Sequence, residues 1–195
     1  DLQAEQLQEK FSNRGLEFVL QEEQLGTGHA AQKTEQALND FKGNILVLCG
    51  DMPLIRTDTL ERLLLEHKNV AAKCSVLTLK SNEKHDFGRI IRDGDGSVLR
   101  IVEHRDASAQ EKIVDEFNSG VYCFDSELFF KALEHIDSNN AQKEYYLTDT
   151  IEYLVRKRYS VQATQTQDAN EILGINSPDD LNRAERLLVD HRQSS

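Results

Sequence analysis

The side chain best placed for chemistry is Asp51, because the sequence puts it at the end of a buried strand. It follows an apolar run within residues 44–54 (NILVLCGDMPL), which predicts a strand that ends at Gly50 and is stopped by Pro53. In open α/β sheets, ligands bind just beyond the carboxyl ends of such strands. A single carboxylate there suits Mg²⁺, which usually shares its coordination shell with substrate phosphates. The alternative is that Asp51 only caps a turn or a helix.

A second oxygen donor, Asn176, follows another apolar run, residues 172–175, and precedes a helix that Ser177 and Pro178 would open. As an alternative, Asn176 is a helix N-cap, although Ser177 can also take that position. If both donors face one ligand, Asp51 and Asn176 would hold one Mg²⁺ and leave several positions for phosphate and water.

The loop QEEQLGTGHA at residues 21–30 follows a predicted strand and opens a predicted helix. Backbone N–H groups in a glycine-containing loop at a helix N-terminus can receive a nucleotide. The amide of Gln21 offers both a donor and an acceptor, which matches the imide edge of a pyrimidine. Alternatively, this segment is a plain loop capped by Thr27.

Three polar positions around a predicted hairpin could bind a sugar. The hairpin is indicated by two β-branched runs on either side of a turn at residues 94–96 (GDG). An acetamido sugar needs a carboxylate or amide for its hydroxyls and an N–H for its carbonyl, which Glu103, Asn118 and the Gly88 backbone could supply. The alternative for Glu103 is a solvated hairpin residue. Asn118 is a poor strand former, so its place in the apolar run 117–124 favours a functional role.

Composition excludes several functional classes. The chain has 195 residues and a formal net charge of −11, which disfavours nonspecific binding to nucleic acid. No apolar run is long enough to span a membrane, and the first residues do not resemble a signal peptide. Three cysteines without C-x-x-C spacing indicate reduced thiols and a cytoplasmic protein. Cys49 has no histidine placed by the sequence as its base, so covalent catalysis is not expected.

Alternating apolar runs and helical patterns predict an α/β fold. We expect a Rossmann-like, mostly parallel mixed sheet flanked by helices, with a β-hairpin insertion and without the first βα unit. Residues 1–195 would form a single domain that is incomplete at its N-terminus. The predicted strands cover residues 16–20, 44–50, 71–80, 88–93, 97–103, 117–124, 160–166 and 171–175. The predicted helices cover the first residues and residues 29–41, 108–114, 126–136 and 147–158, one that begins at residue 57 or 58, and a final one that begins at residue 178.

Several motifs, taken in order, resemble one family. They are QEEQLGTGHA at 21–30, LCGDMPLI at 48–55, FGRI at 87–90, IVEHRDA at 101–107, EFNSG at 116–120, NNAQKEYYLTD at 139–149 and GIN at 174–176. The set resembles the pyrophosphorylase domain of bacterial N-acetylglucosamine-1-phosphate uridylyltransferase. That resemblance implies cytoplasmic, Mg²⁺-dependent synthesis of UDP-N-acetylglucosamine and pyrophosphate from UTP and N-acetylglucosamine 1-phosphate.

The resemblance also implies roles for particular residues. Gln21, Gly26 and Thr27 would bind the uridine. Cys49, Gly50 and Asp51 would line the nucleotide, and Asp51 and Asn176 would hold the metal. Gly88, Glu103 and Asn118 would hold the N-acetylglucosamine moiety, with Tyr146 and Thr148 nearby.

The chain departs from the family pattern in three ways. The family's opening strand, glycine-rich triphosphate loop and following lysine are not in this sequence, nor are the hexapeptide repeats of an acetyltransferase β-helix. Cys49 stands where the family often has tyrosine. Without the triphosphate loop we expect this chain alone to be inactive, and an uncovered sheet edge would favour homo-oligomers. Two alternatives stay open: a nucleotidyltransferase for another sugar 1-phosphate, and a noncatalytic module that binds nucleotide sugars.

Overall fold

The computed structural model describes residues 2–83 and 85–193, with side chains for residues 4–83 and 85–189. Its strands are β1 (Asn44–Val47), β2 (Cys74–Lys80), β3 (Arg89–Arg92), β4 (Val98–Val102), β5 (Glu116–Asp125) and β6 (Val161–Gln165). Its α-helices are α1 (Leu2–Phe11), α2 (Thr27–Lys33), α3 (Thr57–Asn69), α4 (Ser126–Leu133), α5 (Asp149–Arg156) and α6 (Pro178–Gln193).

All six strands form one mixed sheet in the order β4-β3-β5-β2-β6, with β1 paired to β5. The ladders show that β1, β2, β3 and β6 point in the same direction. The long strand β5 runs against β1, β2 and β3, so the ladder between β2 and β6 is the only parallel one in the described residues. The predicted mixed sheet is therefore confirmed. Its strands that share a direction are mostly not neighbours, because β5 lies between β2 on one side and β1 and β3 on the other.

Helices cover both faces of this sheet because side chains alternate along its central strands. On one face, Tyr122 and Phe124 of β5 pack with residues of α4 and α5 such as Phe129 and Leu154. On the other face, Val121 and Cys123 pack with Leu63 of α3 and with four other buried residues, Met52, Leu77, Leu79 and Ile172. This alternation buries β5 on both sides.

Two predicted strands are wrong. Residues 16–20 are not in a strand, because no neighbouring segment in the described chain forms a ladder with them, and Leu16, Phe18 and Leu20 stay exposed. Residues 169–172 form a 3₁₀ helix instead of starting a strand. The apolar character of this second segment comes from Ile172, which packs into the core beside α3 without joining the sheet.

Other elements are shorter than predicted. The helix predicted over 29–41 is α2 followed by turns, and the helix predicted over 108–114 is only a 3₁₀ helix at Glu111–Ile113. The strand predicted over 44–50 ends at Val47, so residues 48–51 are a loop. The predicted hairpin and the remaining helices and strands are confirmed within a few residues. Among the described residues, no helix combines the length and apolarity that a membrane crossing requires.

Candidate functional site

A cleft of about 750 Å³ opens where β1 ends, and most of the predicted site residues line it. The loop after β1 forms part of its wall, the start of β3 and the end of β4 form another, and the middle of β5 lies beneath them. The predicted residues that line this cleft are Thr27, Cys49, Gly50, Asp51, Gly88, Glu103, Asn118, Thr148 and Asn176. Gln21, Gly26 and Tyr146 do not line it. The fold thus gathers positions that are far apart in sequence.

Asp51 and Asn176 converge at one corner of the cleft, which we call the donor corner. A Cβ placed on Gly174 would lie 3.4 Å from Asp51 Oδ2 and 3.4 Å from Asn176 Nδ2, so these two atoms are no farther apart than twice that distance. The backbone N–H of Ile175 donates to the Asp51 carbonyl at 2.9 Å, which joins the two loops directly. Because Gly174 lacks a side chain, the space between the two polar groups stays open.

The donor set fits a hydrated Mg²⁺ ion. Asp51 and Asn176 are both exposed, and no hydrogen bond within the described residues occupies either side chain. The same part of the chain contains no group of three or more His, Cys, Asp or Glu residues suited to hold a metal. One carboxylate and one amide would therefore leave most of the ion's coordination positions to water and substrate phosphates, as Mg²⁺ prefers.

On the opposite wall, Glu103 is held in place by a hydrogen bond. Thr148, just before α5, donates its hydroxyl to Glu103 Oε1 at 3.0 Å. Burial raises the pKa of Glu103, while the Thr148 hydroxyl acts in the other direction and the charge of Asp106 raises it further. The carboxylate also approaches Gly88, where a Cβ would lie 3.4 Å from Glu103 Oε2. A half-buried, oriented carboxylate of this kind can accept hydrogen bonds from sugar hydroxyls.

Asn118 is oriented by backbone groups on both sides. Its N–H donates to the Gly88 carbonyl at 2.8 Å, and its Oδ1 accepts from the Gly120 N–H at 3.1 Å. Gly120 has φ +81°, and a Cβ there would lie 2.9 Å from Cys49 Sγ. Any larger residue would therefore push against the thiol and strain the backbone. Burial first, and then the charges of Asp51 and Glu103, raise the pKa of Cys49, which disfavours a nucleophilic thiolate.

The loop that precedes α2 is fastened to the segment before α5. Gly28 donates its N–H to the Tyr145 carbonyl at 2.8 Å, and Thr27 Oγ1 accepts from the Leu147 N–H at 3.1 Å. Gly26 has φ +109° and packs so closely that a Cβ would lie 2.6 Å from the Tyr145 carbonyl oxygen. The Gln21 amide donates to the Gly26 carbonyl at 3.1 Å, so here it supports the loop that presents Thr27.

Tyr146 lies behind the cleft wall. Its hydroxyl donates to Asp106 Oδ2 at 3.2 Å, and burial together with the neighbouring Asp106 raises the pKa of Tyr146 to about 12. Tyr146 is therefore a neutral hydrogen-bond donor to the turn that follows Glu103. Its role as a direct sugar contact stays a prediction.

Several residues that line the cleft were not predicted from the sequence, among them Thr34, Asp86, Gly120, Tyr122 and Gly174. Two of them carried a usable signal. A glycine inside the strand-like run FNSGVY indicates a bulge or a close approach, which is what Gly120 provides. The glycine in LGIN precedes the predicted metal ligand by two residues, and its missing side chain keeps the donor corner open.

Comparison with known protein families matches this chain to one of them. The family described as "Nucleotidyl transferase" matches residues 2–181, which include every candidate site residue named above. This chain belongs to the nucleotidyl transferase family.

Curated relatives of this nucleotidyl transferase include the bifunctional protein GlmU of several bacteria. The chain is 44% identical over 185 residues to GlmU of Acetivibrio thermocellus, which covers 95% of the chain and 40% of that protein. It is 42% identical to GlmU of Bacillus subtilis over the same proportions. The nucleotidyl transferase chain thus spans about 40% of the length of these relatives.

Solved structures share the fold at low identity. A UDP-glucose pyrophosphorylase complexed with UDP-glucose matches with a TM-score of 0.72 and 14% identity, covering 98% of this chain and 74% of that one. A nucleoside-diphosphate-sugar pyrophosphorylase from Vibrio cholerae matches with a TM-score of 0.65 and 16% identity, covering 94% and 76%. These matches show that the nucleotidyl transferase has a pyrophosphorylase-type fold.

Proposed function

We propose that this domain takes part in uridylyl transfer from UTP to N-acetylglucosamine 1-phosphate, giving UDP-N-acetylglucosamine and pyrophosphate. The observation that carries the proposal is the set of side chains that line this cleft. Two exposed oxygen-donor side chains, Asp51 and Asn176, lie at one corner, and the oriented groups Glu103 and Asn118 lie at the other side. Membership of the nucleotidyl transferase family and the 44% identity to a bifunctional protein GlmU support the reaction class.

In the proposed reaction, a phosphate oxygen of the sugar phosphate forms a bond to the α-phosphorus of UTP. The bond from that phosphorus to the β-phosphate bridging oxygen breaks, and pyrophosphate leaves with the electron pair. The attacking phosphate is already ionised at neutral pH, so no protein group has to remove a proton from it. The protein's work is then to orient the reactants and to stabilise charge.

Each wall of the cleft has a proposed part in this orientation. Asp51 and Asn176 would hold Mg²⁺, and the bound ion would supply positive charge to the phosphoryl groups. Glu103, Asn118 and the Gly88 backbone would hold the N-acetylglucosamine moiety, with Thr148 fixing Glu103. Thr27, on the loop braced by Gln21 and Gly26, would face the uridine, and Cys49 and Gly50 would line the nucleotide.

The cellular setting is also part of this proposal. Cys49, Cys74 and Cys123 are all free thiols, which supports a reducing cytoplasm. Formation of a homo-oligomer stays a prediction that light scattering can test. It is supported by the outer edge of β1, which has no paired strand in the described chain, and by the exposed apolar segment at residues 16–20.

Isothermal titration calorimetry on this chain tests the proposed function without requiring turnover. We expect UDP-N-acetylglucosamine to bind in the presence of Mg²⁺, and UDP-glucose to bind about tenfold more weakly or worse, because it leaves the acetamido-binding groups unpaired. EDTA should weaken the binding of both nucleotide sugars, because it removes Mg²⁺. Equal affinity for the two sugars would contradict the proposed sugar site, and no binding of either would contradict the proposed function.

A further inference from the structure

The two loops that carry the donor corner are joined by an ion pair whose carboxylate is buried and whose members do not line the cleft. Glu171 lies five residues before Asn176, and Arg56 lies five residues after Asp51. Arg56 Nη2 is 3.0 Å from Glu171 Oε1, and the Arg56 backbone N–H donates to Glu171 Oε2 at 3.5 Å. The pair therefore connects the same two loops that carry the donor residues.

The environment of Glu171 is unusual for a carboxylate. Only 2% of its side chain is exposed, whereas 42% of the Arg56 side chain is exposed. A carboxylate buried to this extent is costly unless a cation compensates it, and Arg56 is the one ion-pair partner that the described structure gives it. Nonpolar residues in place of a buried ion pair are often neutral or stabilising, so the pair points to a role beyond stability.

Apolar packing beside the ion pair also connects the two loops. Met52, next to Asp51, and Ile172, next to Glu171, belong to the same buried cluster against α3. The hydrogen bond from Ile175 N–H to the Asp51 carbonyl closes the connection at the cleft end. The donor corner is thus held by three contacts in a row: a backbone hydrogen bond, an apolar contact and an ion pair.

We propose that Glu171 and Arg56 are positioning residues that set the separation of Asp51 and Asn176 for a divalent cation. This inference rests on the proposed function, because it assumes that these two side chains share an ion. A second layer of partners that orients metal ligands commonly changes metal affinity by about 10- to 100-fold when it is removed. The ion pair acts on the metal only through the loops, since neither Arg56 nor Glu171 lines the cleft.

The test compares Glu171→Gln with wild type by electron paramagnetic resonance of free Mn²⁺, titrated in the presence of UDP-N-acetylglucosamine. Glutamine keeps the size of the side chain and removes the charge, and Arg56 keeps its exposed neighbour Asp58 at 3.2 Å. We expect Mn²⁺ affinity to fall about tenfold, while metal-free affinity for UDP-N-acetylglucosamine changes less than twofold. Arg56→Lys keeps the positive charge but not the planar fork, and should fall in between.

Asp58→Asn is the matched control, because Asp58 is the exposed partner of the same arginine and 71% of the Asp58 side chain is accessible. It should leave Mn²⁺ affinity unchanged. If Glu171→Gln lowers the thermal midpoint but the folded variant binds Mn²⁺ as wild type does, Glu171 is only structural and the inference is overturned. If wild type binds UDP-N-acetylglucosamine but not Mn²⁺, the shared metal site is wrong and the inference falls with it, while the proposed sugar recognition stands.

Discussion

The polar side chains on the two sides of the cleft differ in whether other protein groups already hydrogen-bond to them. One wall carries Glu103 and Asn118, and we call it the sugar side after its proposed ligand. Its polar groups already have protein partners: Glu103 accepts from Thr148, and Asn118 Oδ1 accepts from the Gly120 N–H. At the donor corner, the side chains of Asp51 and Asn176 are exposed and have no such partner in the described structure. One side is therefore oriented by hydrogen bonds to the side chains themselves, and the other by the backbone beneath them.

This difference matches the chemistry proposed for each side. A neutral sugar is recognised by directional hydrogen bonds, so fixing the acceptors beforehand reduces the entropy cost of binding. A hydrated Mg²⁺ ion needs oxygen donors that are not already engaged, and it provides its own strong attraction. The loops that carry Asp51 and Asn176 are therefore held by contacts other than those of the two side chains. These contacts are the Ile175 hydrogen bond and the Arg56–Glu171 ion pair.

Replacing Asp51 by asparagine should have the largest effect on the difference between the two sides of the cleft. Asp51→Asn removes the only carboxylate of the donor corner, so metal-dependent binding of UDP-N-acetylglucosamine should fall about 100-fold, equivalent to about 3 kcal/mol. Metal-free binding should be retained, because the sugar side is untouched. Calorimetry with Mg²⁺ and with EDTA measures both quantities. Asp95→Asn, in the exposed hairpin turn, is the control and should change neither.

An equal loss of affinity with and without metal in Asp51→Asn would mean that Asp51 contacts the nucleotide sugar directly. Asp51 would then belong with the oriented sugar side, and the contrast between the two walls would be wrong.

On the sugar side, affinity for the nucleotide sugar should depend on pH through the ionisation of Glu103. Burial raises the pKa of Glu103 and the Thr148 hydroxyl opposes that rise, so Thr148→Val should raise this pKa further. If the carboxylate accepts sugar hydroxyls, affinity falls as the pH drops through its pKa. In the variant this fall should begin at a higher pH, with a loss on the order of 1 kcal/mol. Titrations of UDP-N-acetylglucosamine between about pH 5 and 8 measure the effect.

Thr164→Val provides the control for that series. Thr164 also donates to a glutamate, Glu66 Oε2, at 2.6 Å, but this pair lies between β6 and α3 and outside the cleft. The control should keep the wild-type pH dependence of binding. An unshifted profile in Thr148→Val would show that Glu103 does not recognise the sugar as a carboxylate.

The sequence predicted the elements whose signals are local. The hairpin β3–β4 follows from two β-branched runs around a glycine-rich turn, and strand β1, which precedes Asp51, follows from an apolar run that ends in Gly-Asp. The strand predicted at residues 16–20 is wrong for the opposite reason. Apolar residues there satisfy strand propensity, but a strand exists only when another segment pairs with it.

The sequence predicted the residues of the candidate site better than the contacts that hold them in place. Asp51, Glu103, Asn118 and Asn176 stand out because polar side chains interrupt or end apolar runs. The ion pair between Arg56 and Glu171 does not stand out, because its members are 115 residues apart and no spacing rule relates them. Long-range partners of this kind depend on the packing of the sheet and become visible only when the fold is known.

The smallest predicted effect concerns Asp149, which follows Thr148 in the chain but does not line the cleft. Asp149 begins α5 directly after Thr148, and burial, followed by the charges of Asp137 and Glu152, raises its pKa to about 6. In the unfolded chain its pKa returns to the ordinary value near 3.8. Between these values the folded state binds more protons than the unfolded state, so this residue makes the free energy of unfolding decrease as the pH rises.

Asp149→Asn removes that contribution. Relative to wild type, the variant should gain about 1 kcal/mol of stability between pH 4 and pH 7, a value reduced from the full pKa difference because the side chain is partly exposed. Urea unfolding at several pH values measures the change. Asp179→Asn, an exposed acid in the first turn of α6, is the matched control and should show no such trend. A constant difference between Asp149→Asn and wild type at all pH values would mean that the pKa of Asp149 is the same in the folded and unfolded states, and that burial does not raise it.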